Sequence, residues 1–422
     1  MNTDMASKNI TDYFRAPILI AIACLAVFLI WKNTLADLTL LKWNSWAFYE
    51  WLINYEGGFV RRGLIGDLIT RHFYGNEFFA VNLVVFILSS ILVILATIFA
   101  LTNLTTAKSA LLFAFCPTGL YWMAVGNQYY YRKEILFYIS ILLACLIFRK
   151  WLSKPSKALG NFLTATIFTM SFVLPLIHES FLFYGCFIFC LVLVVLHRKH
   201  STRAKIIVGS YLAVSLSLFA LLSVFKGDAT TSEAIWGSIS ETTKLVTNSK
   251  DISGGISAIG WSLSKGLSLP LIAIQSGLGT YYLFPILVIY LTVGFIVSEQ
   301  RDLRLKELYF SKQLFLPFLL ITLSFLPLFI LGWDWGRWVM GIWYVSICAY
   351  LLKLDTLILE LTAKVLNIHR LRLTLIIFPG LLFVGFITRV PECCFSDSDT
   401  SLPLNLAFSQ FKQILKQLFA SL

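Results

Sequence analysis

"FFAVNLVVFILSSILVILATIFAL" occupies residues 78–101 and carries no charged side chain. A bilayer core of about 30 Å takes roughly 20 apolar residues in helical form. The apolar residues are continuous rather than alternating, which argues for a helix and against a half-buried strand. In lipid only helices and closed barrels satisfy every backbone N–H and C=O, so this run predicts a membrane-spanning helix. The whole chain follows the same rule. Its 422 residues are 58% hydrophobic, 15% aromatic and 13% charged, against roughly 25% charged in soluble domains. The composition predicts an all-α, polytopic integral membrane protein.

Working outward from that run, the sequence predicts about eleven spans. They fall at 16–31, 78–101, 108–125, 135–148, 161–177, 180–196, 206–225, 279–297, 314–331, 338–352 and 373–388. The first has polar flanks and no small-residue cleavage site, and reads as a signal anchor. One transmembrane helical domain is expected over 1–388, with outer loops at 32–77 and 226–267 and an outer tail from 389 to 422. Residues 353–372 have apolar positions at helical spacing and read as an interfacial helix. The polar, Gly/Ser-rich stretch 231–266 suits a lid or a plain connector, and the apolar stretch after it a re-entrant segment.

Orientation follows from Lys and Arg in the short loops. "RKWLSKPSK" (149–157), "HRKHSTRAK" (197–205), "RDLRLKELYFSK" (301–312) and the segment from Lys353 are all basic. They share one side if the N-terminus is cytoplasmic. The net charge of +12 is then a topology signal. Spread over separate loops, it does not make a nucleic-acid footprint.

The other side collects the polar oddities: "YEGGFVRRGLIGD" (55–67), "GNQYYYRKE" (126–134), "HES" (178–180) and "WDWGRW" (333–338). Arg61, Arg62, Arg132, Lys133 and Arg337 sit there against the positive-inside trend. Ionisable residues at a membrane are costly and are read first as functional. An Arg fork suits a phosphate bidentately, and the glycines beside Arg61 and Arg62 suit an anion nest. The same arginines also suit snorkelling to headgroups, and Asp334 with Arg337 suits a neutralised helix start. Tyr130 and Tyr131 suit an interfacial belt or a platform for a sugar ring, and Trp335 belongs with them as an aromatic contact. Glu56, Asp67, His178, Glu179 and Asp334 are the candidate acids and bases.

With "EGGFVRRG", "RKE", "HES" and "DWGRW" on the outer side, the chain resembles the polytopic glycosyltransferases of bacterial surface-polysaccharide assembly, the O-antigen and capsule polymerases. The resemblance implies a multi-pass protein of the bacterial inner membrane, compatible with a GT-C-like arrangement, with its active face in the periplasm. It implies a polyprenyl-(pyro)phosphate-linked sugar as donor, membrane lipids and other assembly proteins as partners, and no nucleic acid. Transferases of this kind carry an acidic residue soon after the first span, and Asp37, Glu50 and Glu56 all qualify by position. The chain departs from the ligases and many polymerases in having no large late outer loop. No Cys/His spacing of zinc type is present, so metal-independent chemistry without a cofactor is expected. A transporter or flippase for a lipid-linked or anionic solute is the alternative. It would bring inverted repeats and mid-membrane charges, and the sequence has neither feature.

Overall fold

The computed structural model describes residues 10–40, 45–116, 119–120, 132–198, 201–275, 279–301, 312–332 and 334–362. Among them every regular element is a helix. Helix α1 (Ile10–Leu40) leads through the short α2 (Ser45–Glu50) and α3 (Gly63–His72) to α4 (Glu77–Asn103) and α5 (Ala107–Phe115). Three hairpin-connected helices follow: α6 (Ile135–Ser153), α7 (Lys157–Ile177) and α8 (Phe181–His197). Then come α9 (Ser201–Val224) and three short helices, α10 (Ala229–Ser238), α11 (Glu241–Val246) and α12 (Gly254–Ile259). The described part closes with α13 (Leu263–Gln275), α14 (Gly279–Arg301), α15 (Lys312–Ser324), α16 (Leu326–Leu331), α17 (Trp335–Leu351) and α18 (Leu354–Thr362).

Five of these are long and apolar enough to cross a membrane: Phe14–Ala36 within α1, then α4, α6, α7 and Thr202–Val224 within α9. Helix α4 shows why lipid is the fitting solvent. Phe79, Leu83, Ile87, Ile91, Ile94 and Ile98 recur at helical spacing and are all exposed, while Val81, Val85, Leu92, Ala96 and Phe99 are buried on the other side. A surface apolar on both faces suits hydrocarbon rather than water. These helices mark the chain as a membrane protein.

Several boundaries differ from the sequence expectations. The run at 314–331 is two helices, broken at Phe325, and α15 is shorter than a span. Helix α5 stops at Phe115 rather than running to 125. The stretch 231–266 is neither loop nor plain connector: it folds into α10, α11 and α12, capped by Asp228 and Ser240, which accept from the N–H groups of Thr231 at 2.8 Å and Thr243 at 3.3 Å. Such side-chain caps satisfy amide donors that a helix start leaves open. The span at 373–388 and the tail lie outside the described residues. So does the second half of the interfacial helix, whose first half is helical from Leu354 to Thr362.

Packing sets which helix ends meet. Helix α1 packs on α4 and α5, α4 on α6, and α6 to α9 on one another, while α17 touches α6, α8, α14 and α15. All residues of α17 are buried, so it is the central helix of the described bundle. The starts of α6, α8 and α17 and the ends of α7 and α9 therefore lie at one end of the bundle. The basic loop at 149–157, the basic end of α8 and the basic start of α9 lie at the other.

The short helices are tied down at the first of these ends. Buried Glu77, at the start of α4, accepts from the backbone N–H of Ser240 at 3.1 Å and from the hydroxyls of Ser240 at 2.5 Å and Thr243 at 2.8 Å. Tyr49 bonds Thr247, and Asn54 donates to Ser238 at 2.8 Å. The region 229–260 is thus a folded roof fastened to α2 and α4.

Candidate functional site

Under that roof is a cavity of about 400 Å3, within the roughly 300–1,000 Å3 of small-molecule sites. Five separate segments supply its floor. Glu50 ends α2. Arg61 and Arg62 come from the turn before α3, which can pack closely because Gly66 meets the chain at Ile53: a Cβ there would lie 1.9 Å from the Ile53 carbonyl oxygen. Arg132 and Glu134 precede α6. His178, Glu179 and Ser180 fill the turn between α7 and α8, while Asp334 and Arg337 start α17.

These side chains form one ionic network. Glu179 takes Arg62 in a fork, Nε at 2.8 Å and Nη2 at 2.5 Å, and also Arg61 Nη1 at 3.0 Å. Glu50 has Arg132 Nη1 at 3.4 Å, Arg62 Nη1 at 3.5 Å and His178 Nε2 at 3.1 Å. Arg337 Nη1 lies 2.5 Å from Glu134 Oε1 and 3.9 Å from Glu50 Oε2, and its Nη2 pairs with Asp334. Four arginines meet four carboxylates here, with Lys133 behind the floor. The N-terminal ends of α6, α8 and α17 add partial positive charge there, so the electrostatics favour an anion.

Three buried polar atoms of this network have no hydrogen-bond partner: Arg61 Nε, Arg337 Nε and Glu134 Oε2. Buried polar atoms without partners are rare in folded proteins and ask for an explanation. A polar ligand at the floor supplies one. His178 Nδ1 accepts from the backbone N–H of Ser180 at 3.2 Å, so in the uncharged ring the proton sits on Nε2. Nε2 therefore faces Glu50 as a donor, 3.1 Å away. Burial alone would raise the pKa of Glu50. His178, Arg337 and Arg132 outweigh it and hold the carboxylate well below its ordinary range.

Arg62 has φ 69 and ψ 4, the left-handed region that a non-glycine residue adopts only under constraint. Here the fork to Glu179 holds its side chain, and Lys133 Nζ donates to its carbonyl oxygen at 2.7 Å. Lys133 is wholly buried. Burial and then Arg62 lower its pKa from 10.5 to about 7, against the pull of Glu50, Glu179 and Glu134. The unfolded chain keeps this lysine protonated to about 10.4. The folded state thus gains stability as pH rises from about 7 to about 10.4, and this group adds no slope below that window. Melting curves of wild type and Lys133→Met between pH 6 and 10 check this: the variant should lack the rise, and parallel curves would refute the assignment.

The roof positions Glu50 through a glycine. A Cβ on Gly255 would lie 2.9 Å from Glu50 Cα, 3.0 Å from its Cβ and 3.2 Å from its backbone nitrogen. Backbone cannot swing aside as a side-chain tip does. Gly255→Ala is expected to cost about 1–3 kcal/mol of stability by overpacking, read as a lower melting temperature. An unchanged melting temperature would show that α12 is free to lift.

Eight of the residues anticipated from sequence meet here: Arg61, Arg62, Arg132, Lys133, His178, Glu179, Asp334 and Arg337. Others do not. Glu56 is exposed, with only its backbone N–H bonded to Asn54 Oδ1 at 3.0 Å. Asp67 lies on α3 and pairs with Arg71 Nε at 2.9 Å. Neither lines the cavity. Trp335 is buried against Tyr282 and Phe329, its indole N–H donating to Gly332, and packs rather than lines. Tyr130 and Tyr131 lie outside the described residues. The sequence reading missed Glu134 and named Glu50 only as one of three acids after the first span. Glu134 closes the "RKE" string, and Glu50 is a lone carboxylate within "AFYEWL".

No group of three or more His, Cys, Asp or Glu among the described residues is arranged to hold a metal ion. Comparison with protein-family models, curated proteins and solved structures finds no match to the chain.

Proposed function

We propose that the chain is a membrane glycosyltransferase that takes a sugar from a polyprenyl-(pyro)phosphate donor at the periplasmic face of a bacterial inner membrane. In this reading it joins repeat units in O-antigen or capsule assembly. The observation that carries it is the two-sided character of one cavity. Its floor is the arginine–carboxylate network, and its wall is apolar, with Phe183, Phe219, Leu222 and Leu328 among the lining residues. A phosphate joined to a hydrocarbon chain suits both parts at once, and a free sugar or a plain anion suits only one.

The chemistry follows from the floor. Arg61 and Arg62 grip the phosphate and stabilise the charge that develops on it as the bond from the sugar C1 to the phosphate oxygen breaks. Glu50 takes the proton of the acceptor hydroxyl as its oxygen bonds to C1, and His178 Nε2–H orients that carboxylate. Arg132, Arg337 and Glu134 hold the floor from behind. The basic residues at the opposite end of the bundle support a cytoplasmic placement for that end. The eleven-span count and a GT-C-like layout belong to this proposal.

Deleting the gene and resolving surface polysaccharide by gel tests it. A ladder reduced to single repeat units is the expected result, while loss of one branch sugar would make the protein a single-addition transferase. An unchanged profile would overturn both. Labelling from the cytoplasmic side of single cysteines introduced at site positions would point instead to a flippase.

A further inference from the structure

The charged floor occupies only part of the cavity. Another part of its lining carries two indoles, Trp46 in the first turn of α2 and Trp261 just after α12. Their ring centroids are 5.5 Å apart and their planes cross at 76°. Trp46 keeps 37% of its surface exposed, whereas the packing tryptophans Trp51 and Trp343 keep 0% and 1%. Lys265 Nζ stands 4.7 Å over the Trp261 ring, and the exposed Ser262 also lines the cavity.

The geometry points to a sugar-binding subsite at Trp46 and Trp261, where a pyranose ring lies against indole and its hydroxyls reach Ser262 and Lys265. The electron-rich face of an indole attracts the slightly positive C–H groups on one face of a pyranose and disfavours an anion. The hydroxyls at the ring edge need donors and acceptors close to that aromatic surface. A phosphate belongs at the arginines for the same electrostatic reason, and a hydrocarbon chain belongs at the apolar wall. A tryptophan that merely anchors a protein at the membrane surface turns towards lipid headgroups, whereas this pair faces the cavity. The inference rests on the glycosyl-transfer reading only in taking the sugar to be joined to the phosphate.

The test uses the full chain in nanodiscs and two kinds of probe. Saturation-transfer NMR with methyl pyranosides of the gluco, galacto, manno and N-acetylglucosamine series reports sugar binding alone. At least one should receive transfer at its ring C–H protons. Trp46→Leu and Trp261→Leu should each weaken its binding roughly tenfold, which is about 1.4 kcal/mol. Trp261→Tyr should restore part of the loss, which separates ring stacking from misfolding, and Arg62→Ala should leave the signal in place. Absence of transfer from every pyranoside, or equal transfer in both leucine variants, would overturn the subsite. Farnesyl phosphate is the second probe. Its binding should fall in Arg62→Ala and persist in the tryptophan variants. If wild type fails to bind it, the glycosyl-transfer reading falls while the sugar subsite stands on the first measurement.

Discussion

Glu50→Gln lowers the rate of glycosyl transfer by roughly 10²- to 10⁴-fold, the range that a positioned general base contributes. The substitution keeps the shape of the side chain and removes the charge that Arg132, Arg62 and His178 surround. No other carboxylate of the floor can replace it without leaving its own partner, since Glu179 is held by Arg62 and Glu134 by Arg337. The rate is read as radiolabelled sugar leaving the lipid donor, with a melting curve alongside to show that the fold persists. Wild-type turnover in Glu50→Gln would remove this residue as the base. The pH dependence has a definite sign. The Glu50 carboxylate is held well below its ordinary range, so its contribution to stability is complete above about pH 4.3, the unfolded value. It is lost only as pH falls through the lower folded value. The acid limb of activity should follow the same direction and lie below pH 4.3.

Arg62→Lys abolishes most of the activity even though the charge is kept. A guanidinium offers two parallel N–H donors to a phosphate, and an ammonium is a point charge on a flexible stem. Loss of one preorganised donor at a developing oxyanion costs about 10²- to 10³-fold, and Arg62→Ala should do at least as much. The protein should still fold in both variants, because Glu179 retains Arg61 at 3.0 Å. Equal activity in wild type and Arg62→Lys would refute the clamp. Arg337 differs. It is 5% exposed and lies between buried Glu134 and partly exposed Asp334, so Arg337→Ala strands the buried Glu134 carboxylate. Breaking such a pair costs about 3–5 kcal/mol, and this variant should show reduced protein level, which makes it a poor probe of catalysis.

Much of the architecture is legible in the sequence because continuous apolar runs leave little choice but helix. The break at Phe325 within 314–331 is an exception, since an apolar run does not reveal where its backbone turns. The gathering of Arg62, Arg132, His178 and Arg337 was also legible: each is a costly charge in a loop of the same parity. The choice among carboxylates was not. Glu56 stands beside the arginines in the chain, yet the turn at 51–58 carries it outward. Glu50 lies under α12, whose Gly255 leaves no room for a Cβ against its backbone. Contacts between segments so far apart leave no local mark, and neither does the pairing of Trp46 with Trp261.

The fork between Arg62 and Glu179 makes ligand entry an exchange of partners. An arriving phosphate must displace a carboxylate of the same sign, so a small free anion gains little by trading places with it. Millimolar inorganic phosphate or sulfate should therefore inhibit feebly. Selectivity then comes from the greasy tail, which offers the wall something that Glu179 cannot.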